Sequence, residues 1–446
     1  MPVTQAPAHV DAPPPPPAPA SAPEVASPGV GAAGAMEGDL AADRRRYGTL
    51  VASHLVVDLY PIFIVALAVS LQSNLDLTNA QRATVIALGP IVSGLCQPLF
   101  AWLGDRFDTR LFGPLGLAVG AAAISFIGFA ETYAQLLALQ TIGLIGTGVY
   151  HPISAAVAGR LGARALRGVR FVHSPRASAL SLFFLAGMLG GFLGPIISTR
   201  LNEATGDMRW LAVMAAPGLL LAWALWVSTR RVAHREIPKF VREDHPDAAR
   251  RLRQRRFHVV VLFSSNALRY TANVGTYFLF TAWAKQHFLD DKVASSRAGD
   301  LIAATTLGMC VGAVLASRVR QGSERRALVT TGLLAAPLIA AIPFLPVWGM
   351  MACACLASAL YFTGIPVSVG LAHRLLPHAT GMTGALLMGI GWVVSASGPI
   401  VGEHIVSLGE HGLAWAFGAM AVAVAASGLV SLLMNRELIE AVADRD

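Results

Sequence analysis

His54 and Asp58 stand four residues apart inside an apolar run, so a helix through them sets the two side chains on one face, one turn apart. An imidazole next to a carboxylate can take up, hold and release a proton. His151 and Pro152 lie together in a second apolar run, "GTGVYHPISAAVAGR", and Arg269, Asn273 and Tyr277 repeat the four-residue spacing in a third. These residues divide by chemistry. Asp58 and His54 suit proton coupling, whereas His151, Arg269, Asn273 and Tyr277 suit binding of a small polar or anionic substrate. No HExxH, GxSxG or Walker loop occurs in the chain, so an enzyme is not expected.

The surroundings of these residues give them weight. The chain of 446 residues is 54% hydrophobic and 13% charged, about half the charged share of soluble domains. Its mean hydropathy is +0.57. Twelve apolar segments of near-spanning length follow one another at 48–72, 80–103, 111–130, 135–160, 178–200, 209–229, 257–284, 297–317, 327–345, 348–375, 381–405 and 412–434. Backbone groups in hydrocarbon must be satisfied within the segment, so each reads as a helix and the chain as an all-α integral membrane protein. An ionisable group near a bilayer centre costs about 2.5 to 3.5 kcal/mol, which calls for a cavity or a partner.

At 1.5 Å per residue Asp58, His151 and Arg269 stand roughly 15, 14 and 18 Å from the inner ends of their segments, level enough for one site. Two readings of Asp58 follow: a proton carrier whose charge answers to Arg269, or half of a fixed ion pair with it. His151 likewise reads as a substrate or proton contact, or as a donor to backbone near the bend that Pro152 imposes.

The formal charge of +8 is topological and does not point to nucleic acid. Of 34 Lys and Arg residues, 27 fall on the side that holds both termini and six on the other, which predicts cytoplasmic termini in an inner or plasma membrane. Residues 1–43 are rich in Pro and Ala and carry no Lys or Arg, so they read as a disordered cytoplasmic tail and not as a signal peptide. A basic cytoplasmic linker, 230–256, separates a bundle over 44–229 from another over 257–434, and 435–446 reads as a second tail. The four cysteines lie in apolar runs without metal or redox spacing. No metal and no cofactor are expected, the energy source being the proton gradient.

The two bundles share a pattern. "PISAAVAGRL" at 152–161 and "PVSVGLAHRL" at 366–375 agree at Pro, Ser, Ala, Arg and Leu, and the same offset of 214 maps Gly94 and Cys96 onto Gly308 and Cys310. This reads as a duplicated six-helix unit in which Pro152 and Pro366 are equivalent helix bends. Gly187/Gly191, Gly190/Gly194 and Gly308/Gly312 have the four-residue spacing that lets helices pack closely.

Two six-helix halves in parallel repeat resemble the major facilitator superfamily, whose members bind substrate near the midplane between the halves. Within it, "SHLVVDLY" (53–60), "GTGVYHPISAAVAGR" and "GGFLGPIIS" are similar to the fosmidomycin-resistance branch of drug exporters, with His54, Asp58, His151 and Pro152 at matching positions. Ile153 stands where that branch carries Glu, and Phe184 and Met188 where it carries Gln and Asn. "AWLGDRFDTR" (101–110) places Asp105, Arg106 and Arg110 on the loop that the superfamily uses as a gate between halves. The resemblance implies a monomeric transporter working by alternating access, with proton-coupled efflux of a small drug-like or anionic compound favoured. The alternative is an uptake symporter or facilitator for a small metabolite.

Overall fold

A computed structural model describes residues 30–107, 109–169, 175–232 and 248–443; most of the tail and the middle of the linker lie outside them. Its helices run in chain order as α1 (Val30–Ala66, resuming as Ala68–Asn74), α2 (Asn79–Arg106), α3 (Phe112–Ser125), α4 (Tyr133–Ala165), α5 (Pro175–Thr205) and α6 (Ala215–Thr229). The second set is α7 (Ala248–His287), α8 (Asp291–Ala316), α9 (Glu324–Ala341), α10 (Val347–Leu375), α11 (Met382–Val406), α12 (Gly412–Val430) and a short α13 (Arg436–Ala443). Each apolar segment read from the sequence falls on one of the twelve long helices.

Among the described residues, eleven helices are long and apolar enough to cross a membrane. The twelfth, α7, misses that standard because of its basic start, "ARRLRQRR", and because Asn266, Arg269 and Asn273 interrupt its middle. Its 40 residues span about 60 Å, so the basic turns extend past the hydrocarbon. At the other end of the chain, α1 begins at Val30, inside the stretch read as a tail. No proline falls between Pro28 and Pro61, and the alanines of 32–42 favour a helix.

The described ends of the chain share one face, here the terminal face. There Arg164 donates to Asp43 at 2.7 Å, joining α4 to α1, and His258 accepts from the Asn435 backbone at 2.7 Å, joining α7 to the segment after α12. Most of the seam glycines pack inside their own half. A Cβ at Gly190 would lie 2.0 Å from the Leu55 carbonyl, and one at Gly308 2.0 Å from that of Cys355, so these glycines seat α5 on α1 and α8 on α10. Between the halves, α5 packs on α8, where Gly191 faces Thr306, and α2 packs on α11, where Gly94 meets Gly389 in a wide π turn over Ala385–Ile390.

The hydrogen bonds and ion pairs described between the halves gather at the distal face. Arg200 of α5 donates to both oxygens of Asp300 at 2.8 and 3.0 Å and to Ser296, while Ser296 donates to Glu203 at 2.7 Å. Ser70 and Ser295 meet at 2.8 Å, and Ser73 donates to Asp291. Asp58 and His151 nevertheless keep about a quarter of their side-chain surface exposed in mid-span. These two side chains therefore border a crevice in mid-span, which the distal contacts cap on one side.

Candidate functional site

Asp58 projects from α1 between two imidazoles. His151 of α4 brings Nε2 to 2.9 Å from Asp58 Oδ1, and His54, one turn earlier on α1, brings Nε2 to 3.4 Å from Oδ2. Both rings are pinned from behind: Nδ1 of His151 lies 2.6 Å from the Thr147 carbonyl, and Nδ1 of His54 lies 2.7 Å from the Phe183 carbonyl. A carbonyl only accepts, so each Nδ1 carries the hydrogen and each Nε2 is turned to the carboxylate.

A definite proton count follows. The 2.9 Å contact between His151 and Asp58 needs one further proton, held as imidazolium with carboxylate or as imidazole with carboxylic acid. The looser His54 side has room for a second. Donor atoms of the three residues lie within 4.8 Å of one another, the one such grouping of metal-type ligands among the described residues, and the set closes on itself through these contacts.

The neighbours hold the cluster in place. His54 is buried, stacked on Phe183 with ring centroids 3.9 Å apart, and Phe184 meets it edge-on at 6.0 Å. Behind them Tyr150 shares a 2.6 Å hydrogen bond with Ser53. Gly187 of α5 completes the pocket, because a Cβ there would stand 2.4 Å from Asp58 Oδ2 and 2.7 Å from His54 Nε2. The sequence offered Gly187 only as a packing residue. Its contact with the carboxylate shows only when α5 is laid on α1.

The second half differs from the expected shared site. Arg269 is fully buried among α7, α9 and α10, donating to the Tyr361 carbonyl at 2.7 Å, the Leu328 carbonyl at 2.5 Å and Thr331 Oγ1 at 3.3 Å. Asn273 accepts from the Tyr361 hydroxyl at 2.5 Å, and the Tyr277 hydroxyl lies 3.4 Å from Thr306. Arg269 and Asn273 thus enter the core of their own half, and Tyr277 lies at the seam between halves, beside the Thr306 that faces Gly191. Neither a joint Asp58–Arg269 site nor a fixed pair between them is formed. Equal depth does not bring two side chains together, because depth does not fix the direction in which a helix face turns.

The duplicated unit explains where the guanidinium goes. At the offset of 214, Thr147 corresponds to Tyr361 and Tyr150 to Gly364. A Cβ at Gly364 would lie 2.5 Å from Arg269 Nη1, so Arg269 occupies space that a side chain fills in the first half. Each half thereby delivers a basic side chain to the corresponding carbonyl: His151 to Thr147 and Arg269 to Tyr361.

Residues 51–290, more than half of the chain, match the family model of the Major Facilitator Superfamily. The chain belongs to the Major Facilitator Superfamily. It is 22% identical to the fosmidomycin resistance protein of Escherichia coli over 360 residues, covering 79% of this chain and 84% of that relative. Its fold is similar to that of a solved peptide transporter, with TM-score 0.66, 15% identity, and coverage of 89% of this chain and 95% of the other. It is also similar to an inward-facing bacterial homologue of the human lysosomal transporter Spinster, with TM-score 0.59, 16% identity, and coverage of 90% and 97%. Membership makes the protein a multi-pass membrane transporter and accounts for the crevice between two halves.

Two further expectations, the superfamily's gate loop and the helix bends read from the prolines, concern local geometry. Arg106 stacks on Trp102 of its own helix at 3.9 Å, and Arg110 donates to the Arg230 carbonyl at the end of α6 at 3.3 Å. Both contacts stay within the first half, and the Asp105 side chain lies outside the described residues. Pro152 and Pro366 sit at corresponding places in α4 and α10, and both helices continue through them.

Proposed function

We propose that this transporter exports a small drug-like or anionic compound in exchange for protons, with Asp58 as the proton carrier and His54 and His151 as its partners. The observation that carries the reading is the geometry of Asp58 between two Nε2 atoms whose rings are locked by backbone carbonyls. Such a cluster gains or loses a proton without unpinning its rings. It also borders a crevice, so the face to which the crevice opens supplies the proton or removes it.

An anionic group entering from the terminal face competes with Asp58 for the Nε2–H of protonated His151. Phe184 beside the cluster adds apolar surface suited to a drug-like body. Arg269 takes no part in binding, since its three bonds stay inside the second half. The 27 basic residues on the terminal side support cytoplasmic termini in a plasma membrane, and on this reading the crevice opens inward, where an exporter loads. Each proton returning across one pH unit supplies about 1.4 kcal/mol, enough to drive a tenfold gradient of exported compound.

The test is growth of an efflux-deficient bacterial host that expresses wild type or Asp58→Asn, with membrane levels matched, against a panel of inhibitors that includes fosmidomycin. Protection by wild type that disappears in Asp58→Asn supports proton-coupled export. Protection that survives the substitution keeps export and removes Asp58 as the carrier. Absence of protection across the panel, combined with proton-dependent uptake in a transport screen, reverses the proposed direction.

A further inference from the structure

A cavity of about 430 Å³ opens on the terminal face of the second half, away from the central crevice. The loop before α9, the first turns of α9, the end of α12 and the start of α13 enclose it, and its lining includes Ser323, Arg325, Arg326, Thr330, Leu432 and Arg436. Three arginines therefore line one space, and no acidic residue is among its lining residues. Of the nearest acids, Glu440 stands at the rim and accepts from Arg436 Nε at 2.7 Å, leaving the other nitrogens of Arg436, and Glu324 is held by Arg374 of α10.

The arginines are positioned with donors to spare. Arg325 is braced through Nη2 on the Leu432 carbonyl at 3.0 Å, while its Nε is buried without a hydrogen-bond partner. Arg326 is exposed, and Arg436 spends one nitrogen on Glu440 while three-quarters of its side chain faces solvent. Guanidinium groups match the oxygens of a phosphate in pairs. The cavity thus fits a phosphate-type anion.

What lies beside it identifies the source of that anion. The α9–α12 seam is closed by Gly332 against Gly428, and just outside it Leu429, Leu432 and Leu433 are exposed on the surface that a membrane covers. A headgroup in the cavity would have its acyl chains laid along those leucines, a surface for which free phosphate has no use.

We infer that this cavity binds the headgroup of an anionic phospholipid from the leaflet on the terminal face, with Arg325, Arg326 and Arg436 as its ligands. Basic pockets between transmembrane helices hold such headgroups through charge and hydrogen bonding together. Bound there, the lipid joins α9 to α12 and α13 at the end of the bundle.

The experiment uses full-length protein exchanged into detergent with defined amounts of phosphatidylglycerol or phosphatidylcholine, with retained lipid counted by native mass spectrometry. The expected result is a retained phosphatidylglycerol that phosphatidylcholine does not replace. Its affinity should fall about thirtyfold in the double variant Arg326→Gln/Arg436→Gln. Both side chains are exposed, so the variant should fold, and an unchanged elution volume and melting temperature without added lipid checks that. Equal retention of the two lipids, or unchanged retention in the double variant, overturns the inference. Displacement by millimolar inorganic phosphate, with phosphate binding in the absence of lipid, overturns the lipid in favour of a soluble anion. None of these readouts depends on the transported compound or on Asp58.

Discussion

His151 and Asp58 are 93 residues apart in the chain, and they meet at 2.9 Å across the packing of α4 on α1. Since His151 Nδ1 is committed to the Thr147 carbonyl, its Nε2 can turn only to the carboxylate or to whatever replaces it. Asp58→Asn keeps the shape and removes the charge. In proteoliposomes, transport driven by a pH gradient should fall at least about a hundredfold, the loss of one charge-assisted hydrogen bond. Counterflow of substrate without a gradient should persist. Equal loss in both assays would make Asp58 a structural residue.

Gly187 tests the same cluster from the side. A methyl group at this position has 2.4 Å to Asp58 Oδ2 in place of normal contact, so Gly187→Ala must push the carboxylate away from His54 and His151. Gradient-driven transport should drop about tenfold or more, with membrane expression little changed. Wild-type coupling in Gly187→Ala would show that the carboxylate's position is not critical.

Arg269 should answer to stability and not to substrate. Its guanidinium ties α7 to α9 and α10, and Arg269→Ala leaves a buried void of side-chain size. Destabilisation of about 3 kcal/mol, comparable to other large-to-small core changes, is expected as a lowered melting temperature. A raised KM with an unchanged melting temperature would instead return Arg269 to the substrate.

The distal clamp predicts a reversible lock. Ser70 and Ser295 belong to different halves, and their oxygens are 2.8 Å apart. Oxidation of Ser70→Cys/Ser295→Cys should form a disulfide that arrests transport, with recovery on reduction. Full activity in a cross-linked population, verified by gel mobility after cleavage of the central linker, would mean that this face does not need to open.

The sequence showed the segments, the duplication and the three residues of the cluster, because periodicity, an offset of 214 and rare ionisable groups in apolar runs are all one-dimensional signals. What it could not show were azimuths. Arg269 stands at the depth of Asp58, yet it turns to the Tyr361 and Leu328 carbonyls, a choice set by the space that Gly364 leaves. The same limit hid Gly187, whose spacing with Gly191 reads as packing until α5 is seated on α1. The π turn at Ala385–Ile390 leaves little mark in composition, since apart from Gly389 its residues are ordinary helix formers.

The exchange of Tyr150 for Gly364 at corresponding places has a mechanical consequence. In the first half the space beside the proline-bearing helix is filled from within, which leaves the His151 ring edge free to face Asp58. In the second half it is taken by a guanidinium that is cationic at every physiological pH and bound on several sides. The two copies of the repeated pattern thus differ in how firmly the space beside the proline-bearing helix is fixed. On the proposed reading, the internally braced half gives a proton taken up by the other something rigid to move against.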